Sequence, residues 1–323
     1  MTSSISPSVR VLVTGGAGFI GSHLCERLVR DGHDVTVIDN LSTGRKGNLS
    51  GLRGHRAVRL VKGDIRNHVM TTRVMQGIEA VVHLAAIISV PYSISHPITT
   101  NQVNVDGTVN LLSSACKRHV SKFVNISSCA VYGEAKRLPI DEQHPKAPLS
   151  PYAASKLCSE IYCEAFHEAY GLDTTVLRLF NVYGPRQEGN PYAGVIVQFK
   201  ERLMKGTPPL VYGDGKQTRD FVHVYDVVEA ICECLEDRRT GVKVFNIGSG
   251  SPTSISELAD LMSALSQTNV RPVYSSPRQG DILHSYADIT KARTELGYQP
   301  RVSLEEGLRM IMRKLDNAKS MRE

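Results

Sequence analysis

Val9-Arg10-Val11-Leu12-Val13-Thr14-Gly15-Gly16-Ala17-Gly18-Phe19-Ile20-Gly21 decides how the chain is read. Its first six residues form an apolar run of strand length, as a strand buried on both faces requires. A glycine turn follows. Ile20, Leu24 and Leu28 then recur every four residues, the buried stripe of an amphipathic helix. In this order the three glycines have separate tasks. Gly15 permits the tight turn, Gly18 lets the backbone approach a pyrophosphate, and Gly21 lets helix and strand pack closely. The amides opening the helix, with its dipole, favour phosphate charge. Such turns also occur without a ligand, so the surroundings decide.

Working outward, residues 35–39, 57–62, 80–85, 122–127 and 174–180 repeat the apolar run of residues 9–14. Helical patterns lie between them at 18–31, 99–119 and 152–170. This βα alternation predicts an α/β protein with a Rossmann-type, doubly wound parallel sheet. Asp39 ends the second strand, 18 residues after Gly21. A carboxylate there accepts hydrogen bonds from adenosine ribose hydroxyls and repels the additional phosphate of NADP, so the expected cofactor is NAD. Arg45 and Lys46 lie nearby as the opposing signal, but Asp39 stands at the strand end that the geometry uses. Asp64, closing the third strand, is a candidate for the adenine and equally a turn or N-cap residue.

After residue 181 the rhythm breaks into Gly- and Pro-rich segments at 181–194, 205–218 and 275–281. They read as a smaller, loop-rich C-terminal lobe for a substrate. Residues 244–247 look like a return to the sheet, so the two domains are expected to interleave. The division predicted is 1–180 plus about 222–249 for the cofactor domain, and about 181–221 with 250–323 for the substrate lobe.

Composition narrows the function. The seven cysteines are odd in number and scattered, without paired CxxC motifs, so reduced thiols and no metal site are expected. No signal-like segment opens the chain and no apolar run is of membrane-spanning length, which predicts a soluble, cytoplasmic protein. Between Arg45 and Arg73 the only acid is Asp64. This basic stretch reads as a solvated face; neither nucleic acid nor membrane is an expected partner. The net charge of +6 suits an anionic substrate.

Tyr152-Ala153-Ala154-Ser155-Lys156 follows Ser150-Pro151, a natural helix start. Residues four apart share a helix face, so the ammonium stands beside the phenol. A free phenol has a pKa of about 10. A neighbouring ammonium and a positively charged nicotinamide both favour phenolate, a useful base near neutrality. The strand before it ends in Ser127-Ser128, at the carboxyl end where such sheets place ligands. A hydroxyl there can bond a reacting oxygen and relay its proton.

GGAGFIG, VIDN, GDI, HLAA, NVDGT, SSCAVYG, YAASK, FNVYGP and TRDFVHV occur in this order and together resemble the extended short-chain dehydrogenase/reductases. Within that family the chain is similar to the NAD-dependent nucleotide-sugar 4-epimerases, the UDP-glucose and UDP-N-acetylglucosamine group. The likeness runs from Val9 to about Pro300. It implies that Phe19, Ile20, Asp39, Asn40, Asp64, Ile65, Leu84, Ala85 and Ala86 line the NAD site, with Asn104 as a buttress. It makes Tyr152 the base, Lys156 its activator and Ser128 the hydroxyl on the sugar, with Ser127 as the neighbouring alternative. Phe180 would approach the nicotinamide and Asn181 the substrate diphosphate. Arg219 and Arg278 would hold that diphosphate, work to which bidentate guanidinium is suited. Tyr212 would lie near the uracil and Asp281 near its ribose. A homodimer through helices around 99–119 and 151–170, joined as a four-helix bundle, is also implied.

The implied reaction inverts C4 of a UDP-hexose through a transient 4-keto sugar. A dehydratase also starts from that ketone but needs an added acid and base. In related dehydratases acidic residues follow the Ser/Thr; here Cys129 and Ala130 do. A UDP-glucuronate epimerase would need a group for the carboxylate, for which Arg186 is a candidate. A non-catalytic NAD sensor is the reading from a different class. The resemblance also implies a size gate, seven residues after Arg278, at Ser285. A serine leaves room for an N-acetyl group, and Ser89, in Ser89-Val90-Pro91-Tyr92-Ser93, lies in a segment like that of N-acetyl-tolerant members. A slip of one residue puts Tyr286 at the gate and reverses the expectation.

Overall fold

A computed structural model describes residues 8–187, 194–266, 270–277 and 282–312 of the protein. In chain order its strands are β1 Arg10–Thr14, β2 Asp34–Asp39, β3 Val58–Lys62, β4 Ala80–His83, β5 Lys122–Ser128, β6 Asp173–Leu179, β7 Asn181–Tyr183, β8 Leu210–Tyr212, β9 Thr218–His223, β10 Val242–Ile247, β11 Pro252–Ser254, β12 Val273–Ser275 and β13 His284–Ser285. The helices are α1 Phe19–Arg30, α2 His68–Val74, α3 Val90–Ser95, α4 Pro97–Asn101, α5 Gly107–Lys117, α6 Pro151–Tyr170, α7 Val195–Met204, α8 Val224–Glu236, α9 Ile255–Leu265, α10 Thr290–Leu296 and α11 Leu304–Met312.

Seven strands form one sheet in the order β10-β6-β5-β4-β1-β2-β3. From β3 to β5 every neighbouring pair is parallel. At its centre Val11–Thr14 of β1 and all of β4 are buried, which explains why those segments are apolar without alternation. The chain winds outward from β1 to β3, then crosses to β4. The order therefore reverses between β1 and β4, the point where doubly wound sheets take their ligands. A core of Leu12, Ile38, Val81, Leu111, Leu112 and Phe123 packs the helices to this sheet.

The helical pattern at 99–119 is one continuous coil in three parts: α4, a π-helical stretch Gln102–Asp106, and α5. Periodicity alone does not mark the wider turn, which costs the helix its regular ladder and re-aims Asn104.

By internal contacts the chain divides into two units. The first comprises Met1–Ser127, Ser150–Leu177 and Ile231–Val244; the second comprises Ser128–Leu149, Arg178–Ala230 and Phe245–Glu323. This differs from the sequence-based division chiefly at residues 128–149. Side chains explain the difference. Tyr132 donates its hydroxyl to Asn246 Oδ1 at 2.6 Å, buried Arg178 donates to the Tyr132 oxygen at 2.8 Å, and Asn246 donates to the Ile140 carbonyl at 2.9 Å. These bonds tie the segment to residues of the second unit. That unit has its own core around Phe199, Val211, Leu258, Met262 and Leu308.

At the switch point Thr14 accepts from the amides of Leu84 and Ala85 and meets His83 Nδ1 at 2.8 Å. His83 Nε2 meets Thr108 Oγ1 at 3.0 Å, and Thr108 donates to the Asn104 carbonyl at 2.6 Å. Each hydroxyl has one proton, so counting donors makes Nδ1 the acceptor and Nε2 the carrier of hydrogen in a neutral ring. Burial, and secondly the charge of Lys156, push His83 down to about 3 from 6.5. The unfolded chain therefore takes up this proton first. Its contribution to stability is complete above pH 6.5 and is lost as pH falls toward about 3. His83→Gln is expected to make the acid limb of stability against pH shallower over that window, measured by urea denaturation at a series of pH values.

Candidate active site

In the first unit, Gly15 adopts φ +67°, the left-handed conformation that the tight turn needs. A Cβ on Gly21 would lie 2.7 Å from Gly16 Cα, so close packing of helix on turn does require glycine there. Gly18 is the N-cap of α1 and supplies no side-chain cap, leaving the first-turn amides beside Phe19 and Ile20 to an external anion. Asp39 is buried, with its carboxylate accepting from the amides of Ala17 at 3.0 Å and Leu41 at 2.8 Å. It thus ties the glycine turn to the end of β2, besides standing where an adenosine ribose is expected.

Asp64 is held by Arg66 through Nε at 3.0 Å and Nη2 at 2.7 Å. This pair, with help from Asn40, pulls its carboxyl down to about 2. The sequence reading missed Arg66, whose spacing of two residues from Asp64 is unremarkable in a basic stretch. Ile65 is buried, and a side chain at Gly107 would run into it, which explains why GDI and NVDGT act as one packing unit. Leu84, Ala85 and Ala86 follow β4 at the switch point and are half-buried.

Asn104 projects from the π stretch. It accepts from the Ile87 amide at 2.8 Å and donates to the Ile87 carbonyl and to Ser155 Oγ, both at 2.9 Å. Ser155 in turn donates to the Tyr152 carbonyl at 2.7 Å. Asn104 therefore fixes the segment after β4 to the first turn of α6. Ser150 caps α6 by accepting from Ala153 N, and Pro151 opens it. Tyr152 is 9% exposed and Lys156 5%. Lys156 Nζ donates to the Ile126 carbonyl at 2.7 Å, and burial pushes its ammonium down to about 8. Thr14 and His83, outside the sequence-based set, hold this whole ligand-facing edge together. Ser89 is the N-cap of α3, accepting from Tyr92 N at 3.1 Å.

The donor set of this unit fits a dinucleotide: uncapped amides for phosphate, carboxylates for ribose and adenine, and a lysine beside a phenol. Bound NAD would be held by residues 15–21, 39–40, 64–65, 84–86, 104, 152 and 156.

In the second unit, Ser128 is half-buried and caps a 3-10 turn, Cys129–Tyr132, by accepting from Ala130 N at 3.2 Å. Ser127, by contrast, is buried and donates to Glu160, so the two neighbouring hydroxyls are not equivalent. Ser285 pairs with Arg219 in the register of β13 on β9. Ser285 and Ala287 are buried while Tyr286 between them is only half-buried, the alternation of an extended chain. Cys129 hydrogen-bonds with Ser285 and Ser128, and burial pushes its thiol up to about 11. The structure thus brings Ser128, Cys129, Ser285 and Arg219 into one cluster.

Asp220, fully buried beside Arg219, organises the strands around that cluster. It accepts from Ser249 N at 2.6 Å, Ser249 Oγ at 2.7 Å, Gly250 N at 3.0 Å and Ala287 N at 3.1 Å. Phe180 is buried, its amide bonded to the Ile247 carbonyl at 2.9 Å, and Asn181 opens β7. Tyr212 ends β8 and pairs with Ser275. Arg278 and Asp281 lie outside the described residues. Those residues contain no group of three or more His, Cys, Asp or Glu placed to hold a metal, and no helix long and apolar enough to cross a membrane.

The sequence profile of the NAD dependent epimerase/dehydratase family matches residues 11–248. The UDP-glucose 4-epimerase of Mycolicibacterium smegmatis is 41% identical over 302 residues, covering 93% of this chain and 96% of its own. Among solved structures, a UDP-N-acetylglucosamine 4-epimerase from Methanobrevibacter ruminantium, in complex with UDP-N-acetylmuramic acid, superposes with a TM-score of 0.92. It is 37% identical and covers 97% of this chain and 100% of its own. The UDP-glucose 4-epimerase of Thermotoga maritima, with UDP-glucose, gives a TM-score of 0.89 at 40% identity, covering 98% and 100%. Two UDP-uronate decarboxylases match at 35%. With the glycine turn, the switch point and the Tyr152–Lys156 pair in place, this chain belongs to the NAD-dependent epimerase/dehydratase family of extended short-chain dehydrogenase/reductases.

Proposed function

We propose that the protein is a UDP-hexose 4-epimerase, acting on UDP-glucose and UDP-galactose and also on UDP-GlcNAc and UDP-GalNAc. The observation that carries this reading is the turn at Ser128. It offers one hydroxyl followed by Cys129 and Ala130, so no acid is available there to expel a hydroxyl from the keto sugar. The Cys129 thiol, half-buried and pushed up to about 11 by its desolvation, stays protonated at neutral pH.

The residues named above would hold NAD, which when bound would supply the hydride-transfer chemistry at C4. Tyr152 takes the proton of the 4-hydroxyl and later gives it back, while Lys156 favours its phenolate form. Ser128 hydrogen-bonds the sugar oxygen. Arg219, with Arg278, holds the diphosphate, so the hexose can turn while its nucleotide stays in place. Phe180 and Asn181 flank the reacting end, and Tyr212 and Asp281 the uridine. Orientation of this kind is a large share of what a protein contributes to such a step.

Purified protein incubated with UDP-glucose is expected to form UDP-galactose, followed by proton NMR. Tyr152→Phe is expected to lower kcat at least a hundredfold, the usual worth of a positioned acid/base. A 4-keto-6-deoxy product would favour a dehydratase instead. Binding of NAD without turnover of any UDP-hexose would favour a sensor.

Substrate breadth rests on Ser285. Its burial against Cys129 supports Ser285, rather than Tyr286 with its opposite direction, as the gate. Ser285→Tyr is expected to cut turnover of UDP-GlcNAc at least tenfold, the effect of about 1–3 kcal/mol of crowding, and to spare UDP-glucose. Equal loss on both sugars would remove the gate from Ser285.

The protein is also read as a homodimer. Ile94, Ile98 and Ile161 on α3, α4 and α6 are 63%, 74% and 56% exposed, an apolar stripe that a second copy would cover. Ile98→Glu is expected to convert dimer to monomer in sedimentation velocity; wild-type protein sedimenting as a monomer would overturn this part.

A further inference from the structure

We infer that Glu160 is the buried counter-charge of Lys156, and that Ser127 holds it in place. Both are positioning residues for the Tyr152–Lys156 pair, and the inference rests on the proposed roles of those two.

Lys156 and Glu160 are four apart on α6 and so share one face. That face is turned inward: Lys156 is 5% exposed and Glu160 6%. Strand β5 grips both side chains through consecutive residues. The Ile126 carbonyl accepts from Lys156 Nζ, and Ser127 Oγ donates to Glu160 Oε1. Two residues back along β5, Asn125 donates to Ser159 Oγ at 3.0 Å. A polar seam thus runs through the interior between β5 and α6.

A buried ammonium is costly unless an opposite charge accompanies it. Around Lys156 the titratable groups come from several elements. From β4 comes His83, kept neutral by its burial. From α6 come Tyr152, Cys163 and Glu160, and burial raises the Cys163 thiol above its usual range, so it carries no charge near neutrality. The β5 neighbours, Ser127 and the Ile126 carbonyl, are uncharged. Glu160 is then the negative charge among these groups, and its field opposes the desolvation of the ammonium. A neutral lysine could not favour the phenolate of Tyr152. Nor could it donate as strongly to a cofactor ribose. The same bond answers why Ser127 is not the sugar-facing hydroxyl: its proton is committed to Glu160.

The test is the pH dependence of the holoenzyme. With Glu160→Gln, the alkaline limb of kcat, where Lys156 loses its charge, is expected to move to lower pH by about one unit or more, since a nearby opposite charge typically shifts a pKa by roughly 1–3 units. KM for UDP-glucose should stay within about twofold, because the diphosphate is held by other residues. Ser127→Ala should move the limb the same way by less. A readout without turnover is the pH at which NADH affinity falls, followed by NADH fluorescence. It should fall at lower pH in Glu160→Gln. If circular dichroism shows that Glu160→Gln does not fold, Glu160→Asp takes its place and should give a smaller shift of the same sign. A wild-type enzyme with turnover, and a variant whose kcat profile and NADH titration both superimpose on it, would overturn the inference. A wild-type protein with no turnover, but a shifted NADH titration in the variant, would overturn the epimerase reading while sustaining Glu160 as the counter-charge.

Discussion

The hydroxyl of Thr14 is the point on which the cofactor half of the molecule depends. It ends the central strand, in the one place where the sheet order reverses, and there it satisfies two amides of the chain leaving β4. The Leu84 amide also reaches the Thr14 carbonyl at 3.3 Å, so the hydroxyl matters most for Ala85, where an unpaired amide kept from water would cost about 1–3 kcal/mol. Its own proton goes to His83, and the ring passes the constraint to Thr108 and so to the backbone of the π turn. One continuous chain of hydrogen bonds therefore sets the spacing between the glycine turn, the segment 84–86 and Asn104. The neutral imidazole is what makes the chain directional, since a charged ring would have to donate at both ends.

A second polar seam lies in the apolar interior between β5 and α6. Here the chemistry demands what packing alone would avoid. In the proposed reading Lys156 acts on the Tyr152 phenol from beside it, out of bulk water, and its charge then needs support. The fold supplies a main-chain carbonyl from β5 and a carboxylate one helical turn further along α6. Each of these groups is itself held, by the sheet or by Ser127. Ser155, Ser159 and Ser127 each bond a polar group of this seam, and Asn125 Oδ1 is its buried atom without a hydrogen-bond partner.

The sheet was legible in the sequence because buried parallel strands are runs of apolar residues, and each observed strand lies within one or two residues of its run. The helix start at Ser150-Pro151 and the glycine turn were legible because local rules govern them. What stayed hidden depends on partners far away in sequence. The π stretch within 97–117 has the same apolar periodicity as a regular helix. Thr14, His83, Glu160 and Asp220 look ordinary in one dimension; they acquire roles only when the fold brings distant residues within reach, 69 apart for Thr14 and His83, 33 for Ser127 and Glu160 and 67 for Asp220 and Ala287. Residues 128–149 follow the second unit because Tyr132, Arg178 and Asn246 bind one another, and no local pattern announces that.

This scaffold does not choose its reaction through the sheet. The glycine turn, the carboxylates at strand ends and the Tyr152–Lys156 pair would serve any member of the family that begins by oxidising C4 of a nucleotide sugar. In the proposed reading the choice falls to a few side chains on the second unit. In the proposed epimerase, Cys129 and Ala130 would offer no strong acid to expel a hydroxyl, so the ketone would return by reduction. Ser285 is the position proposed to limit how large a substituent can accompany it. These positions sit on a short 3-10 turn and a two-residue strand, elements whose placement depends on Asp220 and Arg178 rather than on their own propensity. Changing the reaction would require new side chains at those positions, and keeping any reaction at all requires the buried polar groups that hold them still.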